Sequence, residues 1–286
     1  MAAELTYHRP GLGAHIATLN AMIKKELTIM LRYPIEFVAS FAQVFLIVLI
    51  FMVASFMFAP GGLEASGSDA AGLTSATPFG FLIFIFISDT LWTIGYNVRR
   101  EQKQGTLEHL YMSPASKFSI LLSRVAVMMV WSGSLGVVSL VGIGLLFGGL
   151  PLNNLPLALV ALAFTLVGTI GIGFAFAGIT LYIKEAGQTL ANLLQFAFIV
   201  FCAPFFPFAA LPEPMLWVSR AIPVSYGLDV FRSLLAGLPE GTPELGPLWL
   251  GMTVTIVFGV VMPLIGYGVY RQAEDEVRRR GTLSEY

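Results

Sequence analysis

The chain has 286 residues, of which 56% are hydrophobic and 12% charged, and its net charge is −1. Soluble domains carry about 25% charged residues, and mean hydropathy here is +0.80, so a soluble globular protein is excluded. The single cysteine, Cys202, excludes an internal disulfide and a cysteine-based metal cluster.

The composition and its periodicity predict an all-α polytopic membrane protein, a single transmembrane domain over residues 1–286. Residues 12–33 read as an amphipathic helix. Leu12, Ile16, Leu19, Ile23, Leu27 and Met30 recur every three or four positions. Lys24, Thr28 and Arg32 line the opposite face, with Lys25 beside them. Such a helix lies in the headgroup plane with its cations toward phosphate. Pro34 is expected to end it.

Six spans are expected, over residues 36–58, 77–98, 118–148, 155–183, 189–208 and 247–270, each near the ~20 residues a bilayer needs or longer. Residues 59–76 are small and polar and read as an exposed loop. The second span holds Asp89, a carboxylate deep in an apolar run. Intramembrane carboxylates are costly and face a bundle interior or a water path. Asp89 is therefore a candidate pathway residue, or else a structural hydrogen-bonding group for Thr90, Asn97, Gln43 or Gln195. Gly168, Gly171 and Gly173 thin the middle of the fourth span for close packing.

Between the second and third spans, residues 99–124 form a patterned polar stretch. Leu107, Leu110 and Tyr111 share one helical face, with Glu101, Lys103 and Glu108 on the wet side. Ser113 and Pro114 read as an N-cap and first helical residue, so one short helix stops and another starts. On pattern, both a helix that docks a soluble partner and an ordinary surface loop fit. Residues 209–246 hold a proline-rich segment with two short helical pieces, near 214–221 and 225–236. Leu228, Phe231, Leu234 and Leu235 share a face in the second, and Asp229 and Arg232 are spaced to pair. Neither piece can cross a bilayer, so they read as a re-entrant or interfacial pair on the outer side.

Of the sixteen Lys and Arg residues, only Arg220 and Arg232 fall on one side of this six-span arrangement. That asymmetry puts both termini and residues 99–124 in the cytoplasm, in a multi-pass inner-membrane protein. The sequence has no Gly-x-x-x-x-Gly-Lys-Ser/Thr phosphate loop and no His-Glu-x-x-His zinc motif. No catalytic residues, no metal and no nucleic-acid partner are expected.

Two motifs carry a family resemblance. Glu101-x-x-x-Gly105-Thr106-Leu107-Glu108-x-Leu110, with Ser113-Pro114 and Lys117 after it, resembles the cytoplasmic loop of the type-2 ABC exporter permeases. Pro223-x-x-Tyr226-x-x-Asp229-x-x-Arg232-x-x-Leu235-x-Gly237 is similar to that family's segment before the last span. Asp229 stands where the family often has Glu. The resemblance implies a permease that binds no cofactor itself. Separate ABC ATPase subunits would carry ATP and magnesium, and a second permease would complete a homo- or heterodimer within the membrane lipids. It assigns ATPase coupling to Glu101, Gly105, Thr106, Leu107, Glu108, Leu110, Tyr111 and Pro114 on a helix over residues 101–112. A lipophilic drug or a lipid is the expected cargo. A polysaccharide or glycolipid exporter, and an ion channel or secondary transporter using Asp89, are the alternatives.

Overall fold

The computed structural model describes residues 17, 20, 21, 24, 28, 31, 32, 34–58, 78–92, 117–147, 152–182, 187–236 and 243–279. Among these residues every regular element is helical, as expected. In chain order they are α1 (Pro34–Phe58), α2 (Pro78–Trp92), α3 (Lys117–Phe147), α4 (Leu155–Tyr182), α5 (Gly187–Phe201), a 3-10 turn (Phe208–Ala210), α6 (Glu213–Ala221), α7 (Pro223–Ala236) and α8 (Leu248–Arg279). Among the described residues three stretches are long and apolar enough to cross a membrane: Val125–Leu145 in α3, Leu155–Leu181 in α4 and Leu248–Val277 in α8. The other three expected spans coincide with the apolar stretches Val38–Phe51 within α1, Pro78–Trp92 and Gly187–Phe201.

The helix ends follow from local chemistry. α6 and α7 each begin at prolines, where the missing N–H costs nothing and the fixed φ suits the first turn. α6 carries Glu213 in its first turn and Arg220 in its last, both favourable to the helix dipole. α5 stops at Phe201, short of the expected residue 208. Pro204 and Pro207 explain the difference, since proline disfavours helix in the residue before it and removes a donor. α8 runs in the other direction, through Arg279 and beyond the expected residue 270. Its polar extension has its own buried stripe, Ala273 and Val277, packed with Val125, Phe174, Ala177 and Leu181. At ~1.5 Å per residue the apolar part of α8 exceeds a ~30 Å hydrocarbon layer, so its last turns emerge.

α2 is the central helix. Phe79, Ile83, Ile87 and Leu91 are at most 1% exposed and join a core with residues of α4, α5, α7 and α8. Phe81, Phe84 and Ile85 face the other way, toward Val48 of α1, Ile143 of α3 and Phe205. α4 and α8 make the most extensive helix pair. A Cβ on Gly171 would run into the Met262–Pro263 backbone, and one on Gly266 into the Gly171 carbonyl. The two helices therefore cross in backbone contact, as the thin middle of α4 leads one to expect. The outward faces stay apolar: Leu46, Ile50, Val141, Leu145, Val261 and Leu264 are all exposed. In water that would be a liability, whereas against lipid tails it costs nothing.

Candidate functional site

Among the described residues, two polar networks stand out in this apolar interior. The first is on α2. Every residue from Pro78 to Leu91 is buried except Asp89, which is partly buried, as is Trp92 at the helix end. Asp89 and Trp92 are three apart and so share a face. Ser132 of α3 donates its hydroxyl to Asp89 Oδ2. The Trp92 indole N–H donates to Gln195 Oε1 at 2.9 Å, and Gln195 Nε2 donates to Ser88 Oγ at 3.2 Å. Gln195 thus bridges α5 to two positions one turn apart on α2, while Asp89 reaches α3. Among the described residues the hydrogen-bond partner of Asp89 is Ser132, rather than Thr90, Gln43 or Gln195. Thr90 instead donates to the Phe86 carbonyl at 2.6 Å and reaches Met128 Sδ at 3.6 Å. Gln195 is committed to Trp92 and Ser88, Gln43 is exposed, and Asn97 lies outside the described residues.

The second network closes the segment between α5 and α8. After α5 unwinds, Ala203 sits at φ 47, in the left-handed region, and is fully buried. Its carbonyl and that of Phe206 have no helical partners, and Arg232 supplies them. Nη1 donates to Phe206 O at 3.0 Å and Ala203 O at 3.3 Å. Arg232 Nη2 pairs with Glu244 Oε1 at 3.4 Å. Glu244 Oε2 accepts the Ala209 N–H at 2.8 Å, which fastens the 3-10 turn. Asp229 accepts the backbone N–H groups of Leu245 at 2.8 Å and Glu244 at 3.2 Å. The guanidinium also lies over the Phe208 ring, 5.5 Å from its centroid. Burial pushes the Asp229 carboxyl up to about 6, against the opposing pull of the Leu245 N–H, Arg232 and the Glu244 N–H.

The apolar face expected on α7 is present, and its two charged residues are drawn into the interior rather than onto a wet face. Leu228, Phe231, Leu234 and Leu235 are buried, but so are Asp229 and Arg232. Arg232 forms its ion pair with Glu244, not with Asp229. Pro223 opens α7, and Tyr226 packs against the core. Backbone N–H groups of Asn153 and Asn154 donate to Leu235 O and Leu234 O, satisfying carbonyls at the end of α7 and tying it to the start of α4.

In the N-terminal segment, Lys24 and Arg32 are helical and exposed, and Thr28 bonds the Lys24 carbonyl at 2.7 Å. Lys25, Gly237 and all of Glu101, Gly105, Thr106, Leu107, Glu108, Leu110, Tyr111 and Pro114 lie outside the described residues. Ser88, Trp92, Ser132 and Glu244 are site residues that the sequence reading missed. The only available signal was polarity within an apolar run for Ser132, and an acid directly after Pro243 for Glu244. No group of three or more metal-ligating side chains occurs among the described residues.

Long apolar helices and lipid-compatible outer faces define a multi-pass helical membrane protein. The family model described as ABC-2 family transporter protein matches residues 65–267, most of the chain. The chain belongs to that family, whose members are membrane subunits of ABC transporters and work with an ABC ATPase. No curated protein matches it.

Proposed function

We propose that the protein is the membrane subunit of an ATP-driven exporter that moves a lipophilic drug-like molecule or a lipid out of the cytoplasm or inner leaflet. The observation that carries this is the family match over residues 65–267 in a chain with no phosphate-binding loop of its own. ATP and magnesium then belong to separate ATPase subunits. The permease crosses the inner membrane six times, with both termini in the cytoplasm, and pairs with a second permease. Lys24, Lys25 and Arg32 hold the N-terminal helix at the headgroups. The helix over residues 101–112 docks into the ATPase through Leu107, Leu110 and Tyr111, with Glu108 beside them. Gly105 and Thr106 lead into it after Glu101, and Pro114 turns the chain out. Asp89 lines the path, and the segment from Pro223 through Tyr226, Asp229 and Arg232 to Gly237 closes it on the outer side. The apolar character of the interior favours a lipophilic cargo over a polysaccharide.

The decisive experiment joins the permease to its ATPase. Burying one apolar side chain in a partner groove is worth about 1.5–3 kcal/mol. Leu110→Asp together with Glu108→Arg is expected to leave the permease inserted while abolishing ATPase pull-down and substrate-stimulated ATP hydrolysis. A doubly substituted permease that still co-purifies with the ATPase and still exports would make this loop a spacer. Transport with no ATPase present at all would favour a channel or secondary transporter using Asp89.

A further inference from the structure

Asp89 has an unusual setting for a structural hydrogen-bonding group. A hydroxyl or amide would hold α3 at Ser132 with far less desolvation than a carboxylate. Instead a carboxylate stands on a helix that is otherwise buried, at the one position between Pro78 and Leu91 that is not. Among the described residues, Ser132 is its hydrogen-bond partner, and that contact engages Oδ2. One helical step away on the same face is Trp92, also partly open, its indole N–H held by Gln195. Gln195 is itself fixed by Ser88. The ring orientation is therefore set by α5, independently of Asp89. Beside Asp89 the neighbours are apolar: Phe86, one turn back on α2, and Met128, one turn from Ser132 on α3, are both buried.

A carboxylate and an oriented indole, three residues apart on one helix and bordered by apolar side chains, are complementary to one kind of ligand. The carboxylate neutralises a positive charge, the ring face adds cation–π attraction, and the apolar neighbours take an apolar body. We infer that Asp89, Ser132, Trp92 and Gln195 form a binding site for an organic monocation, a molecule carrying one positive charge on a lipophilic frame. This rests on the export reading and specifies its cargo. Asp89 and Trp92 touch the ligand, whereas Ser132 and Gln195 position them.

The test uses purified full-length permease in lipid nanodiscs without ATPase, and two probes of matched shape and opposite charge. Tetraphenylphosphonium is expected to bind saturably, and tetraphenylborate only to partition into lipid. Asp89→Asn should weaken tetraphenylphosphonium binding about tenfold or more, since it removes a partly desolvated charge partner. Asp89→Glu should retain much of the affinity. Gel filtration checks that each variant is folded. If Asp89→Asn does not fold, Trp92→Leu takes its place and should weaken cation binding as well. Equal binding of both probes, absence of saturable cation binding by the unsubstituted protein, or unchanged affinity in a folded Asp89→Asn variant overturns the inference. Because the ATPase is absent, these outcomes are independent of the coupling experiment. Cation binding with no ATPase partnership would sink the export reading and leave the site. Export of neutral lipid with no cation binding would do the reverse.

Discussion

Arg232 is 2% exposed and carries a full charge among apolar helices, so its partners decide whether it stabilises the fold. Removing one member of a buried, hydrogen-bonded ion pair strands the other, at about 3–5 kcal/mol. Here the stranded groups are the Glu244 carboxylate and the carbonyls of Ala203 and Phe206. Arg232→Met keeps most of the side-chain volume and removes the charge. It is expected to lower thermal stability in detergent by about that amount. Adding Glu244→Gln should recover part of the loss, because the lone acid is then gone. An Arg232→Met protein as stable as the parent would show that the clamp carries no net stability. The sequence could suggest an Asp229–Arg232 pair because three-residue spacing is a helix rule. Glu244 is 12 residues from Arg232 and beyond the end of α7, where no periodicity applies.

At the level of elements, the α4–α8 seam is where shape outweighs polarity. Between helices in lipid, burying apolar surface brings little hydrophobic gain, because the tails are as apolar as leucine. Close packing has to supply the specificity, and glycine lets the backbones meet. Gly171→Leu would force its side chain against the Met262–Pro263 backbone, which cannot move aside as a flexible side chain can. Overpacking of this kind typically costs about 1–3 kcal/mol. The expected result is a lower unfolding midpoint in detergent for Gly171→Leu and little change for Gly268→Ala, whose added Cβ meets nothing within 4 Å. Equal midpoints for the two would mean that the seam is loosely packed. The thin middle of α4 is visible in its glycines, but the identity of the helix that fills it is not. Gly171 and Gly266 are brought together by the bundle, across intervening α5, α6 and α7.

For the whole molecule, the strongest commitment is the direction in which the chain is threaded. Fourteen of sixteen basic residues fall on one side of the six-span arrangement, leaving Arg220 and Arg232. Arg232 is held in a buried clamp and is not part of a surface charge count. Introduced cysteines report the threading directly, and the native Cys202 is 1% exposed, which keeps the background low. An impermeant thiol reagent applied from outside should label Ser66→Cys, and should label Gln104→Cys only after permeabilisation. The reverse pattern would place residues 101–112 away from ATP and end the coupling proposal.

Hydropathy and spacing by themselves determined the class of this protein, the placing of its apolar helices and the two short helices before the last one. These are local properties: a bilayer selects on run length and a helix on three- and four-residue recurrence. Proline positions also carried the early end of α5, although a run-length reading overrode them. Only the tertiary structure decided that α2 is the central helix and that α4 and α8 meet at bare backbone. It also decided that Arg232 satisfies unwound carbonyls, and that Asp89 shares a partly open face with an indole oriented from α5. Each depends on which helices become neighbours. In lipid, where apolar faces are nearly interchangeable, that choice rests on long-range close packing and a few hydrogen bonds, which hydropathy does not encode.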